Sequence, residues 1–577
     1  MKNILLLFTC ILIFFSCKKN TYNNSGGGAI ITPPQDSTVV ITPPVDPAIA
    51  NSIGFFLNDW QPRTFTAPAY EDTIIPASTV HNVTVNPGAI ITKIPLSIFG
   101  NNANLWSTQM VTEAPLMSKL TNLHSHIIRF PGGSISDVYF WNALNNTPPA
   151  DAPATMVNAN GTRAASGWWY GKNSDSWTCS LNNYYSMLQQ TANSGMIIIN
   201  YGYARYGTGP NPAAAAAHLA ADWVRYDNGR TQYWEIGNEN FGDWEAGYRI
   251  DVSKNKDGQP EYLSGDLYGQ HFKIFADSMR KAAQEIGKTI YISAVTVVAA
   301  AQSWETNTRK NWNTGLFTKA ANSPDFYIVH NYFTAYQTNS NATDILASAA
   351  TETKKMMDFV SQAFHVGAVA PKPIALTEYN INAEGSMQKV SHINGMHAVM
   401  TLGEALKNKY GMAARWDIAN GWDNGNDHGM FSNGDEPGVP KWNARPAFYH
   451  LYYFQKFLGD RLVTSSSDNA DLVSYASSFT SGQVRVTLVN KSAVSQTVQV
   501  KCQNFNIGNK FFWYTLTGGV DNGEFSRKVL VNGQGPSTVA GGPDNYASII
   551  PYAASAQNGI KITVPARAIV HMVIDKK

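Results

Sequence analysis

The chain has 577 residues, of which 44% are hydrophobic and 15% charged, with a formal net charge of +2. This length and composition predict a globular protein with a large core and more than one domain, and they exclude a disordered chain. The charges nearly balance and form no long Lys/Arg run, so nothing supports nucleic-acid binding, which depends on phosphate neutralisation.

The first 17 residues have the pattern of an export signal. Lys2 supplies a positive charge, and Leu5–Phe15 is apolar but too short to span a bilayer well. A small residue, Ser16, stands directly before Cys17. This boundary resembles a bacterial lipobox, in which the signal is cleaved and Cys17 is acylated; an ordinary secretory signal with a chance Cys is the alternative. Both interpretations predict that the protein is exported. The lipobox also predicts that a lipid anchor in the outer membrane is the protein's only attachment to a membrane.

The remaining chain divides by composition into four parts. Residues 18–53 are rich in Pro, Gly, Ser and Asn, which predicts an extended linker. From 95 to 455, β-type runs alternate with helical patterns, as in a parallel α/β sheet. Residues 456–577 show short β-type runs between Gly, Asn and Ser turns, which predicts an antiparallel β-sandwich domain. The β-like segment 54–94 is expected to join that sandwich.

Eight strand candidates occur in the central region, and helical patterns such as Asp266–Ile286 and Ser391–Lys407 follow several of them. In chain order they are Pro95–Phe99, His126–Phe130, Met196–Asn200, Gln232–Gly237, Ile290–Val295, Phe326–His330, Pro373–Thr377 and Ala413–Asp417. Eight strand–helix units predict a (β/α)8 TIM barrel with insertions, so the fold class is α/β. A doubly wound sheet is the alternative, but no Gly-rich nucleotide loop stands at a strand–helix turn.

Two carboxylates stand at the carboxyl ends of predicted strands, where a barrel carries its functional groups. Strand four ends in Asn238-Glu239, and strand seven is followed by Glu378. Carboxyl groups that face each other across a barrel can cleave a glycosidic bond, since one protonates the leaving oxygen while the other attacks the anomeric carbon. At about 5 Å separation no water fits between them and configuration is retained. The alternative is that Glu239 and Glu378 are ordinary rim carboxylates.

Other polar and aromatic residues fall at the ends of the remaining strands. Strand two ends in Arg-Phe-Pro-Gly-Gly, which begins at Arg129. Further candidates at strand ends are Asn101 and Asn102 after strand one, His330 and Tyr332 at strand six, and Trp416 at strand eight. His330 and Tyr332 share one strand face, so either could contact one of the carboxylates. The same alternation would point Asn238 away from Glu239 unless the strand bends at its tip.

Together these sequences resemble glycoside hydrolase clan A, the barrels with catalytic carboxylates on strands four and seven. Arg-Phe-Pro-Gly-Gly and Glu-Ile-Gly-Asn-Glu-Asn are most similar to family 51, with families 79, 39, 30 and 44 as relatives. The resemblance implies that Glu239 is the acid/base, Glu378 the nucleophile and Asn238 a ligand of the sugar 2-hydroxyl. It also implies that Arg129 favours the ionised form of Glu378. Strand one lacks the Glu-His-type element with which family 51 reads the sugar, and Asn101 or Asn102 is expected to replace it.

Aromatic and acidic residues on the loops allow two interpretations each. Trp168 and Trp169 after strand two and Trp244 after strand four are expected to bind sugar rings by stacking, with loop packing as the alternative. Glu235 is expected to have a structural role deeper in the barrel, and Glu245 to be solvated. The acidic loop Asp423–Glu436 could bind Ca²⁺, but it lacks EF-hand spacing and is more often a polar turn. We therefore predict no metal and no other cofactor.

These features predict a retaining glycosidase that acts on plant-type polysaccharide or on oligosaccharide. The family 51 resemblance makes α-L-arabinofuranosidase the first expectation, and an endo-β-glucanase or xylanase of the same clan is the alternative. A non-catalytic glycan-binding surface lipoprotein would need the aromatic residues but not both carboxylates. The sequence leaves open the sugar, the exo or endo mode and the oligomeric state.

Overall fold

The structure is a computed structural model that describes residues 41–519 and 523–577. The export signal, Cys17 and the first part of the predicted linker lie outside the described residues. Within the described ranges, no helix has the length and apolar character that crossing a membrane requires.

Eight parallel strands close into a barrel and follow one another around it in chain order. We number them barrel strands one to eight: Gly100–Asn102, Ile127–Phe130, Ser194–Ile199, Thr231–Ile236, Tyr291–Val295, Phe326–Tyr332, Ile374–Asn380 and Met412–Arg415. Strand one differs from the prediction, because the apolar run before it forms a 3₁₀ turn, Leu96–Phe99, that directly follows Pro95. Ile98 and Phe99 of this turn are buried, as they would be in a strand. Their apolar character alone therefore did not distinguish the two conformations.

A helix follows each barrel strand and covers the barrel from outside. In the order of the strands, the eight helices are Ala114–Leu123, Leu181–Thr191, Pro212–Asp227, Gly265–Glu285, Asn307–Ala320, Ala342–Val366, His392–Lys407 and Pro446–Phe457. Ser, Thr or Asn side chains cap most of their first turns; the Ser391 hydroxyl, for example, accepts a hydrogen bond from the Asn394 amide. The predicted (β/α)8 barrel is therefore confirmed.

The insertion after strand two carries small elements at the carboxyl end of the barrel. They are the 3₁₀ helix Gly133–Val138, the paired strands Tyr139–Leu144 and Trp169–Lys172, and the hairpin of Thr155–Val157 with Arg163–Ala165. The remaining short helices are Gly54–Leu57, Met110–Thr112, Tyr203–Tyr206 and Gln388–Val390.

The accessory β-domain is an eleven-stranded, mostly antiparallel sheet. Its strands are Glu71–Asp72, His81–Lys93, Arg461–Ser467, Leu472–Ser478, Val484–Asn490, Gln496–Cys502, Ile507–Thr517, Leu530–Val531, Tyr552–Ser555, Ile560–Val564 and Ala568–Lys576. His81–Lys93 pairs antiparallel with Arg461–Ser467 and parallel with Gln496–Cys502, so the segment before the barrel joins the sheet formed after it. The predicted accessory β-domain is confirmed, with all strands hydrogen-bonded in one sheet.

The last residues of the predicted linker do not behave as a free tether. The Arg461 side chain binds Asp46 at 2.6 Å, and the Ile374 amide donates to the Ser52 carbonyl at 2.9 Å. The turn Gly54–Leu57 then packs at the amino end of the barrel, where the Phe55 ring stacks on Tyr291 with centroids 3.8 Å apart. Residues 41–53 therefore belong to the folded unit, and residues 54–57 close the barrel instead of joining the sheet, because their aromatic rings can be buried there.

Candidate active site

Glu378 lies near the end of barrel strand seven and is only 4% exposed. Its Oε1 accepts a hydrogen bond from the Arg129 guanidinium at 2.8 Å, and its Oε2 accepts one from the Tyr332 hydroxyl at 3.0 Å. Both carboxylate oxygens are thus held, one by a donor from strand two and the other by a donor from strand six. Such contacts fix the orientation of the carboxylate.

Glu239 reaches the site because the chain bends directly after strand four. Gly237 has a φ of +77° and Glu239 a φ of +39°, both outside the extended region of a strand. A side chain at position 237 would collide with Asn240 and Tyr201. Strict strand alternation therefore stops at Ile236, and Asn238 contacts the Arg129 guanidinium while Glu239 contacts His330. The bend that the sequence required at the strand tip is present.

His330 lies between the two carboxylates. Its Nδ1 is 3.0 Å from Oε1 of Glu239 and 3.9 Å from Oε1 of Glu378, and its Nε2 is 2.9 Å from the Thr377 hydroxyl. Oε1 of Glu239 and Oε1 of Glu378 contact the same nitrogen of His330. Their separation therefore cannot exceed the sum of the two distances from that nitrogen. The side chains of strands four, six and seven therefore converge on one point inside the barrel mouth.

Arg129 is fully buried and connects four polar side chains. Its Nε donates to Glu235 at 2.7 Å, one terminal nitrogen donates to Asn102 and Glu378 at 2.8 Å each, and the other donates to Asn238 at 3.0 Å. Burial alone would lower the pKa of Arg129, but the charges of Glu235 and Glu378 outweigh it and raise this pKa. One cation thus neutralises a buried structural carboxylate and the Glu378 carboxylate together.

Glu239 and His330 stabilise each other's charged forms. Burial would raise the pKa of Glu239, yet the hydrogen bond and charge of His330 outweigh it, so the pKa of Glu239 is lowered from 4.5. Burial would likewise lower the pKa of His330, but the carboxylates of Glu378 and Glu239 raise it above 6.5. The Glu239 side chain keeps 21% exposure, which leaves it open to a substrate from solvent.

The two predicted asparagines of strand one have different positions. Asn102 points into the barrel, where its oxygen accepts from Arg129 and its amide donates to the Thr377 carbonyl at 2.9 Å. Asn101 points outward, because adjacent side chains alternate along a strand, and it donates to the Ser125 hydroxyl at 2.9 Å. The expectation that Asn101 replaces a sugar-reading element is therefore wrong, and the contacts of Asn102 hold Arg129 in place.

The four predicted tryptophans differ in exposure. Trp416 is 8% exposed, and its ring lies so close to Gly133 that a Cβ there would be 2.9 Å from it. Trp244 is 56% exposed and contacts the Phe241 ring edge-on. Trp168 and Trp169 are half-buried, and each packs against other aromatic rings of the barrel mouth, Phe140 and Tyr206 for Trp168 and Trp177 for Trp169. Of the three rim tryptophans, Trp244 presents the most ring surface to a ligand.

Glu245 is buried, contrary to the expectation that it is solvated. It is 4% exposed, and its Oε1 accepts from the Ser134 hydroxyl at 2.7 Å and from the Asn238 amide at 3.0 Å. Burial, together with the nearby charges of Asp137 and Glu239, raises the pKa of Glu245 well above 4.5. The sequence shows that Glu245 lies six residues after Glu239 in a short loop, and so near the site. Sequence spacing alone does not reveal which residues of a loop point inward.

The acidic loop after strand eight binds guanidinium groups. Arg445, fully buried, contacts Asp427 at 2.6 Å and Glu436 at 2.9 Å, and Glu436 also contacts Arg527 of the β-domain at 2.5 Å. Within residues 41–519 and 523–577, no group of three or more His, Cys, Asp or Glu side chains is arranged to hold a metal ion. Glu436 therefore joins the barrel to the β-domain, and Asp427 holds Arg445 within the barrel.

Comparison with solved structures finds the same architecture in glycoside hydrolases. A family 51 α-L-arabinofuranosidase from Bifidobacterium longum is 14% identical, with a TM-score of 0.60. A family 51 α-L-arabinofuranosidase from Thermotoga petrophila is 15% identical, with a TM-score of 0.59, and a family 44 xyloglucanase from Paenibacillus polymyxa is 10% identical, with a TM-score of 0.54. Each alignment covers 86% of this chain and 100% of the other.

No protein-family model matches the chain, and no curated protein matches it. The likeness is therefore one of fold, shared along the barrel and the β-domain. At that level the predicted resemblance to the clan A barrels is confirmed.

Proposed function

We propose that this protein is a retaining glycosidase in which Glu239 is the acid/base and Glu378 the nucleophile. The observation that carries the proposal is the convergence of these carboxylates from strands four and seven on His330. Retaining enzymes hold the two carboxyl groups about 5 Å apart and inverting enzymes about 6.5–9.5 Å apart. The limit that His330 sets on the separation excludes most of the inverting range, and the resemblance to the retaining clan A enzymes supports the retaining class. The fold of the solved glycosidases described above agrees with this class of chemistry.

The contacts assign a different task to each carboxylate. Glu378 is held in one orientation by Arg129 and Tyr332, which supports its role as the nucleophile that attacks the anomeric carbon. Glu239 protonates the leaving oxygen with a proton that His330 passes to it across their hydrogen bond. The bond to the leaving group breaks as the ester to Glu378 forms. Glu239 then removes a proton from water, which releases the sugar from Glu378 with its original configuration.

For the substrate we propose a terminal α-L-arabinofuranosyl group on plant-type polysaccharide or oligosaccharide. The support is the family 51 resemblance of the sequence and the fold shared with solved arabinofuranosidases. An endo-β-glucanase or xylanase is the second candidate. It is favoured by the exposed rim residues Trp177, Trp244 and Trp304, which would suit a long chain of sugar rings, and by the fold shared with a xyloglucanase.

Release of arabinose separates these two activities. We expect 4-nitrophenyl α-L-arabinofuranoside and arabinan or arabinoxylan to release 4-nitrophenol and free arabinose. New reducing ends from β-glucan or unsubstituted xylan, without arabinose release, would support the endo-acting alternative. Binding of glycans without turnover of any of these substrates would instead favour the non-catalytic glycan-binding protein.

Azide separates the roles of the two carboxylates. Glu378→Ala should abolish turnover even with a dinitrophenyl leaving group, because no glycosyl ester can form. Glu239→Ala should still form that ester but hydrolyse it slowly, and azide should speed the reaction and give a glycosyl azide of unchanged anomeric configuration. The matched control is Glu285→Gln, at an exposed position outside the barrel mouth. Inversion in the first product, or no rescue of either variant, would contradict the assignment.

We further propose that the protein is exported and held in the outer membrane through acylated Cys17. The support is the lipobox-like boundary at this residue in the sequence. Cys17→Ala should move the protein from the membrane fraction to the soluble fraction. A wild-type protein that is already soluble, with a mature amino terminus at another residue, would contradict the anchor.

A further inference from the structure

A buried carboxyl group lies beside the proposed acid/base, and no cation among the described residues forms an ion pair with it. Both groups that contact Oε1 of Glu245 are hydrogen-bond donors, the Ser134 hydroxyl and the Asn238 amide. Its Oε2 is buried and has no hydrogen-bond partner in the described part of the chain. A neutral carboxylic acid with its proton on that oxygen leaves one O–H group without an acceptor, which costs less than a buried charge with an unpartnered oxygen.

The orientation of Asn238 follows from its other neighbour. Arg129 can only donate hydrogen bonds, so the group that faces it at 3.0 Å must be the amide oxygen of Asn238. The amide nitrogen then faces Glu245, and Oε1 of Glu245 acts as the acceptor. This places the acid proton of Glu245 on Oε2. The surrounding charges agree, because the titratable groups that act on Glu245 are the acids Asp137 and Glu239, which favour its neutral form and raise its pKa.

Glu245 thereby fixes the hydrogen-bonding roles of two polar groups at the barrel mouth. Ser134 is exposed and donates its proton inward to Glu245, so the lone pairs of its oxygen remain for a donor from solvent. Asn238 uses one of its two amide hydrogens for Glu245, so the other remains for an acceptor. Because both groups contact the same oxygen, Oε1 of Glu245, they lie close enough for one sugar hydroxyl to donate to Ser134 and accept from Asn238.

We infer that Glu245 is a neutral carboxylic acid that positions Ser134 and Asn238 to bind one substrate hydroxyl beside the acid/base Glu239. This inference rests on the proposed glycosidase function. Glu245 is a positioning residue, since its own carboxyl group is buried beneath the two groups that it orients.

Glutamine is the decisive substitution, because its amide has the shape of a neutral carboxylic acid and carries no charge. On 4-nitrophenyl α-L-arabinofuranoside, Glu245→Gln should keep kcat within about threefold of the wild type. Glu245→Leu should lower kcat by about tenfold or more, as expected when one oriented hydrogen bond is lost. Because Glu245 acts through Ser134 and Asn238, adding Glu245→Leu to the double variant Ser134→Ala/Asn238→Ala should lower kcat little further.

The pH profile distinguishes a neutral Glu245 from an ionised one. A neutral residue predicts that Glu245→Gln leaves the alkaline limb of kcat against pH in place. An ionised residue would favour the protonated form of Glu239, so its replacement would move that limb to lower pH. Such a movement, or a Glu245→Gln variant as impaired as Glu245→Leu, would overturn the inference. Glu285→Gln is the control for removal of an exposed carboxylate.

Infrared difference spectroscopy tests the protonation state without activity. The spectrum of the wild type minus that of Glu245→Gln should contain the C=O band of a protonated carboxyl group at neutral pH. A carboxylate band in its place would overturn the inference. This measurement stands even if Glu245→Leu does not fold or if no glycoside is a substrate, and the latter result would count against the proposed glycosidase function alone.

Discussion

Replacement of Arg129 by Met tests whether one buried cation holds the site together. The substitution keeps most of the side-chain volume but removes the hydrogen bonds to Glu235, Glu378, Asn102 and Asn238. Glu235 is fully buried and Glu378 nearly so. Breaking a buried ion pair from one side costs about 3–5 kcal/mol, because the remaining charge is left without a partner. We expect the free energy of unfolding to fall by at least about 3 kcal/mol.

Urea denaturation at neutral pH measures this loss, and a second substitution tests its cause. Glu235→Gln in the Arg129→Met background removes one of the two unpartnered charges and should recover at least about 1 kcal/mol of stability without restoring kcat. The control is Arg225→Met, whose ion pair with Glu285 is exposed and should contribute little. The reasoning is refuted if Arg129→Met is as stable as the wild type, or if Glu235→Gln destabilises it further.

Three further predictions concern pH, the rim and metals. The raised pKa of His330 and the lowered pKa of Glu239 mean that their pair stabilises the fold most between pH 4.5 and 6.5. This contribution to stability is lost when the pH rises through the raised pKa of His330, and also when the pH falls through the lowered pKa of Glu239. The Tm difference between the wild type and His330→Asn should therefore be largest between these two limits. A Tm difference independent of pH would count against the pair. Trp244→Ala should raise KM by an amount that corresponds to about 1 kcal/mol or more of lost binding free energy. Trp168→Ala should mainly lower Tm, because the Trp168 ring packs on Phe140. Equal effects of the two substitutions on KM would refute this division. Prolonged EDTA treatment should leave kcat nearly unchanged, and a loss that Ca²⁺ restores would contradict the guanidinium contacts of the acidic loop.

Much of the fold could be predicted because it depends on local patterns. Seven of the eight strand candidates overlap barrel strands, since each combines an apolar run with a turn and a helical pattern. The exception, Pro95–Phe99, is apolar and buried but forms a 3₁₀ turn, and hydrophobicity does not distinguish these conformations. The segment 41–53 was predicted as a linker from its composition, yet contacts such as Asp46 with Arg461, far apart in sequence, hold it against the folded unit.

By itself the sequence determined the order of the elements, the barrel class and the candidate carboxylates Glu239 and Glu378, because strand ends can be read from periodicity and a barrel brings all of them to one face. Only the tertiary structure decided which side chains meet there. It turned Asn101 outward and Asn102 inward, through a register that no local pattern specifies, and it buried Glu245 beneath the site. The physical reason is that burial and hydrogen bonding depend on residues from other segments of the chain, such as Thr377 for Asn102 and Ser134 for Glu245, which are more than a hundred positions away.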